Sequence, residues 1–103
     1  MANKLILIGI DQYLYLKPLN NCVKDAQDLK DILLEKYDFE DWNVTELYDH
    51  NATSKSIQDL LMRSANTLSV TDNLIVFYSG HGHYDDDHGR GYWAPSDSSR
   101  KQK

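Results

Sequence analysis

The chain has 103 residues, 41% of them hydrophobic, with a net charge of −5 at pH 7 and a pI near 5.1. That length suits one small domain or a piece of one, and the hydrophobic share is enough for a real core. The acidic balance argues against a nucleic-acid partner, because affinity for phosphates needs a basic surface.

Its one cysteine, Cys22, cannot close an internal disulfide, so a reducing compartment and a cytoplasmic location are expected. The N-terminal apolar run, residues 5–10, is too short for a signal peptide or a membrane span, and no membrane partner is expected.

In chain order, residues 4–10 (KLILIGI) are nearly all apolar, as in a strand buried on both faces of a parallel sheet. Residues 22–37 set Val23, Ala26, Leu29, Ile32 and Leu33 on one helical stripe, with Lys24, Asp28, Asp31 and Glu35 facing away. Asn21 is the expected N-cap, and Asp25 stands in the first turn near the positive end of the dipole. Residues 43–48 (NVTELY) alternate and predict a more exposed strand. A second helix is predicted over residues 54–68, with Ile57, Leu60, Leu61, Ala65 and Leu68 on its apolar face and Thr53 as its cap. Residues 73–79 (NLIVFYS) read as a second buried strand. From Tyr84 onward the chain is polar and contains glycine, and a loop is expected apart from a brief Tyr92-Trp93-Ala94. There is no internal repeat, linker or second domain.

The order β-α-β-α-β predicts an α/β layered fold with a mostly parallel sheet and helices on its faces. Sites in such sheets lie outside the C-terminal ends of the strands. Two of those ends are chemically rich: residues 9–13 (GIDQY) and residues 79–83 (SGHGH). Histidine titrates near neutrality and suits proton transfer. His81 stands between two glycines, which permit unusual backbone and close approach to a ligand. The N–H of Gly82 could donate to a developing oxyanion. The plainer alternative is a surface histidine in a strand-ending loop. Its place at a strand end, with glycine on both sides, favours the functional reading.

The sequence resembles the caspase-like cysteine peptidases, particularly the metacaspase and bacterial branch. The resemblance rests on residues 5–11 (LILIGID), 19–26 (LNNCVKDA), 29–36, 74–82 (LIVFYSGHG) and 93–97 (WAPSD), and covers nearly the whole chain. The strand followed by SGHG is its specific element. It implies a three-layer caspase-like fold, incomplete here, with residues 1–103 as the N-terminal part of the peptidase domain. It further implies that His81 is the catalytic histidine of a Cys–His dyad and that Gly82 supplies an oxyanion-hole N–H. The family's nucleophilic cysteine follows a further strand that this sequence does not contain. The expectation is therefore a fragment that is cut off after Lys103, with no peptidase activity from this chain alone and the remaining C-terminal part of the domain as its partner.

By the same resemblance, the Cys22-Val23-Lys24-Asp25 spacing makes Asp25 a candidate for the pocket that binds a basic P1 side chain. An ordinary first-turn acid is the equal alternative. If the match holds, cleavage after Arg or Lys of a protein or peptide substrate follows. Cys22 reads as a packing residue and not as the main nucleophile. Asp11 reads as a turn-capping residue.

No cofactor is expected. The run Tyr84-Asp85-Asp86-Asp87-His88 offers carboxylates of the kind calcium takes, but it lacks the spacing and glycine of a calcium loop, and a solvated acidic loop is preferred. His81, His83 and His88 do not form a regular zinc pattern. Neither a dinucleotide fingerprint nor a nucleophile elbow is present. A non-catalytic binding module stands as the alternative to an enzyme. The third predicted strand, left as a sheet edge, predicts self-association.

Overall fold

The computed structural model describes residues 3–36, 42–85 and 89–98. The elements run β1 (Asn3–Gly9), α1 (Cys22–Lys36), β2 (Trp42–Tyr48), a 3-10 turn (Asp49–Asn51), α2 (Ser54–Thr67), β3 (Asn73–Ser79), β4 (Gly82–Asp85) and β5 (Arg90–Trp93). The first three strands form a parallel sheet in the order β2-β1-β3. Gly9 is paired with both Tyr48 and Ser79, so the three C-terminal ends finish level.

The central strand explains its own composition. Leu5, Ile6, Leu7, Ile8 and Ile10 are all fully buried or nearly so. Side chains alternate across a strand, so this run fills two cores at once. Ile6, Ile8 and Ile10 pack with Ala52, Ile57 and Leu60 on the α2 face. Leu5 and Leu7 pack with Ala26, Leu29 and Leu33 on the α1 face. The two helices therefore lie on opposite faces of the sheet, as the predicted crossovers require. Burying each of the five fully buried leucines and isoleucines of this run contributes about 1.5–3 kcal/mol before the entropy of ordering is charged.

Both helices lie where the periodicity puts them, with corrections to their faces and caps. In α1, Ile32 is half exposed, so the apolar stripe is narrower than five residues. Asn21 occupies the cap position, with φ 71° and its carbonyl accepting from Asp25 N at 2.8 Å. The capping side chain comes from elsewhere: Asp11 accepts from Cys22 N at 2.8 Å and Val23 N at 3.3 Å. In α2, Thr53 caps as expected, accepting from Ser56 N at 3.2 Å. The buried line continues from Ile57 and Leu60 to Ser64, and Ala65 faces solvent. A residue seven positions after Ile57 returns to the same face; one at eight has turned past it.

The tail departs further from expectation. Where a loop is predicted, β4 and β5 form an antiparallel hairpin with Gly82 opposite Trp93. Gly89, at φ 61°, lies in the connection, a conformation that favours glycine. Trp93 stacks flat on Tyr78 at 4.4 Å, tying the hairpin to the end of β3. Residues 94–98 then turn back across the strand ends: Ser96 N donates to Ala52 O and Ser96 O accepts from Leu14 N. Tyr37, the acidic run at residues 86–88 and the basic tail at residues 99–103 lie outside the described residues.

Candidate active site around His81

Three strand-exit segments converge at one end of the sheet, and Gly9 shows how tightly. A Cβ there would stand 2.9 Å from Cys22 O and from Val23 Cα. Glycine lets the start of α1 lie directly on the end of β1. Ile10 N donates to Ser79 O at 2.9 Å, so the exits of β1 and β3 are joined by backbone as well. The two segments singled out by sequence, residues 9–13 and 79–83, are thus neighbours.

His81 follows β3 by two residues and is held by its backbone and its ring. Its N–H donates to Tyr13 Oη at 2.7 Å. Its carbonyl accepts from Tyr78 Oη at 2.6 Å and from Ala94 N at 3.0 Å. The imidazole stands edge-on to the Tyr13 ring at 4.8 Å, and its Nε2 lies 2.7 Å from the carbonyl oxygen of Lys17. A carbonyl can only accept, so Nε2 carries the hydrogen. Of the two neutral tautomers, this contact selects the one that presents Nδ1 with its lone pair, the atom able to take a proton.

Tyr13 and Tyr78 form the support beneath this histidine. Burial pushes both phenols above the ordinary tyrosine range, so they act as neutral hydrogen-bonding groups. Gly80 is small because of them. A Cβ at Gly80 would meet Tyr13 Oη at 2.7 Å and Tyr78 Oη at 2.9 Å. Its backbone stays out of the left-handed region, so space, and not φ, is what this position requires.

Gly82 opens β4. Ala94 N donating to His81 O marks that pair as the hydrogen-bonded kind, and antiparallel pairs alternate. Gly82 and Trp93 are therefore a non-hydrogen-bonded pair, and the Gly82 N–H turns away from β5. A Cβ would meet only Tyr92 O, at an ordinary 3.6 Å, so space alone does not demand glycine here.

Asp25 is exposed in the first turn of α1. Cys22, three residues before it, is 9% exposed, and burial is the largest cause of a raised thiol pKa. A hydrogen bond from Ser79 opposes that rise, and Asp11 adds to it. Asp11 caps a helix and not a turn of its own loop. Among the described residues, no group of three or more His, Cys, Asp or Glu side chains converges on one point.

A family model described as the caspase domain matches residues 2–102. The chain belongs to the caspase domain family. Among its relatives, Metacaspase-6 of Arabidopsis thaliana is 34% identical over 87 residues, covering 80% of this chain and 24% of that protein. Metacaspase-4 of the same plant is 34% identical over 87 residues and 21% of its length. Metacaspase-1 of Plasmodium falciparum is 36% identical over 93 residues, covering 82% of this chain and 15% of its own. The chain thus spans less than a quarter of each of these relatives. The parallel α/β sheet expected from the sequence is the observed one, consistent with part of a caspase-like fold.

Membership in the caspase domain family is legible in the SGHG segment, but the groups that hold His81 are not. Sequence places Tyr13 in a chemically rich strand exit but gives it no partner, and it marks neither Tyr78 nor the Lys17 carbonyl. Tyr13 lies 68 positions from His81, so no local spacing links them. Tyr78 offers a faint signal: a polar-tipped aromatic at the end of a buried strand needs a partner for its hydroxyl.

Proposed function

We propose that this chain supplies the histidine side of a cysteine endopeptidase active site. The observation that carries the reading is the Nε2 contact to the Lys17 carbonyl, which leaves Nδ1 as the proton acceptor at the rim of the strand ends. In this reaction a cysteine thiol gives its proton to Nδ1, and the thiolate attacks the scissile carbonyl carbon. The Gly82 N–H donates to the oxygen as it gains charge. The imidazolium then returns the proton to the leaving amine, and water releases the acyl group. Cys22 does not suit the nucleophile's part, since burial holds its thiol protonated. The thiol comes from the C-terminal part of a peptidase domain, docked beside β3, the terminal strand of the described parallel sheet. That open edge is equally the surface on which two copies of this chain would pair. A reducing compartment such as the cytosol suits the chemistry, which needs its thiol reduced.

Asp25 is the proposed partner of a basic P1 side chain. Its exposed carboxylate in the first turn of α1 supports a charge-assisted contact with Arg or Lys. The test is complementation with the nucleophile-bearing half of a metacaspase, followed by hydrolysis of fluorogenic peptides ending in Arg, Lys or Asp. His81→Ala is expected to lower turnover by about 100- to 10,000-fold, the usual share of general acid–base catalysis. Asp25→Ala is expected to raise KM for the basic peptides and leave turnover at saturation. Turnover unchanged in His81→Ala sinks the assignment, and peptide binding without cleavage by the wild type points to a non-catalytic module.

A further inference from the structure

The loop between β1 and α1 carries two of the groups that hold His81, the Tyr13 hydroxyl on its N–H and the Lys17 carbonyl on its ring. What fixes that loop is a carboxylate on a different strand exit. Asp49 follows β2 and sits at φ 50°, in the left-handed region, a conformation that Asp tolerates better than most side chains. Its Oδ1 accepts from Asp11 N at 2.8 Å and from Gln12 N at 3.0 Å. The next residue is Tyr13.

We propose that Asp49 is a positioning residue for His81, acting through the backbone of Asp11 and Gln12 and the hydroxyl of Tyr13. The inference rests on the peptidase reading only for its consequence; the contacts themselves involve no substrate. The 3-10 turn does not need this side chain, because the turn closes through Ala52 N donating to the Asp49 carbonyl. The carboxylate is committed instead to the two peptide units at which the chain leaves β1. Downstream of them, Leu19 N donates to Asp11 O and closes the loop that contains both Tyr13 and Lys17. One further anchor, Leu14 N to Ser96 O, holds the same loop from the tail side. Two N–H groups fixed on one oxygen set the direction in which Tyr13 departs, and a ring contact at 4.8 Å leaves little room for a change in that direction.

The readout is the tautomer of the His81 ring, measured by 15N NMR on this chain without substrate. The wild-type ring is expected to hold its hydrogen on Nε2. Asp49→Gly removes the carboxylate and suits the positive φ, so it tests the contact without adding strain. Asp49→Gly and Tyr13→Phe should each lower the ratio of Nε2–H to Nδ1–H forms by about 2- to 10-fold, the worth of one ordinary hydrogen bond. Asp49→Asn keeps an acceptor oxygen and tolerates the backbone, and should restore the wild-type ratio. The double variant should fall no further than the larger single one, because both act along one path. An unchanged ratio in Asp49→Gly with a lowered unfolding midpoint makes Asp49 merely structural and overturns the proposal. So do additive effects, or a wild-type ring that carries its hydrogen on Nδ1. Failure of peptide cleavage with the tautomer pattern intact would count against the peptidase reading alone.

Discussion

The two helices begin in opposite ways. α2 carries a cap from its own flank: Thr53 accepts from Ser56 N, the remote Asp97 takes only Ser54 N, and the buried Ile57 and Leu60 follow directly. α1 is capped from another element: Asp11, at the exit of β1, accepts from the N–H groups of Cys22 and Val23. A local cap starts a helix wherever the helix happens to lie. A remote cap also fixes its position, and here it ties the helix to the strand end beside His81. The helix whose N-terminus faces the candidate site is the one whose first two N–H groups are both held by a remote carboxylate, whereas α2 has a local cap as well as its remote contact to Asp97.

The strongest way to break this contrast is at Asp11. Asp11→Ala leaves two N–H groups without their acceptor and cuts the link between α1 and β1. Loss of a cap costs about 1 kcal/mol, and each part-buried group left unpaired adds about 1 more, so about 2–3 kcal/mol is expected. Urea unfolding checks the value, with the midpoint moving at unchanged slope. Thr53→Ala is the matched control at α2. It should cost about 1 kcal/mol, the ordinary worth of a local cap, because Asp97 still accepts from Ser54 N. Equal losses at the two positions would mean that Asp11 is an ordinary cap and that the contrast carries no more than sequence distance.

The same contrast explains how much can be read from the sequence. Thr53 is legible as a cap because its acceptor and its donor are three residues apart. The strand at residues 3–9 is legible because the central strand of a parallel sheet must be apolar on both faces. Residues 73–79 form a strand as expected, but not a buried one: β3 is the terminal strand of the described sheet, and its residues are half-buried or exposed. Asn21 stands in the right place for a capping side chain, yet the acceptor is Asp11, on the far side of the β1–α1 loop. The β4–β5 hairpin looks like loop in sequence because residues 82–93 are polar and rich in glycine. Its tie to the rest of the chain, Trp93 on Tyr78, is a contact between elements. At the site, His81 and its flanking glycines are legible. The reason for Gly80 is not, since the two phenols that fill the space of its missing side chain come from β3 and from the distant β1–α1 loop.

The smallest expected effect sharpens the comparison at Cys22. Position alone places its thiol in the first turn of α1, where the helix N-terminus favours a thiolate. Burial outweighs that, with Asp11 adding to the rise, and the thiol is pushed up. A pKa raised on folding stabilises the protein fully below the unfolded thiol's value, near about 8.5, and the contribution is lost as pH rises through the folded value. The unfolding midpoint should therefore decline on the alkaline side more steeply in the wild type than in Cys22→Ala. The buried tyrosines decline in both, and the difference in slope isolates the thiol. Iodoacetamide offers the direct reading: at pH 8, labelling of the folded chain should be slower than labelling of the chain in urea. Faster labelling in the folded state would show that the helix end prevails over burial and the Asp11 carboxylate. The remote cap would then be placing Cys22 as a reactive group beside the His81 site, and not as a packing residue.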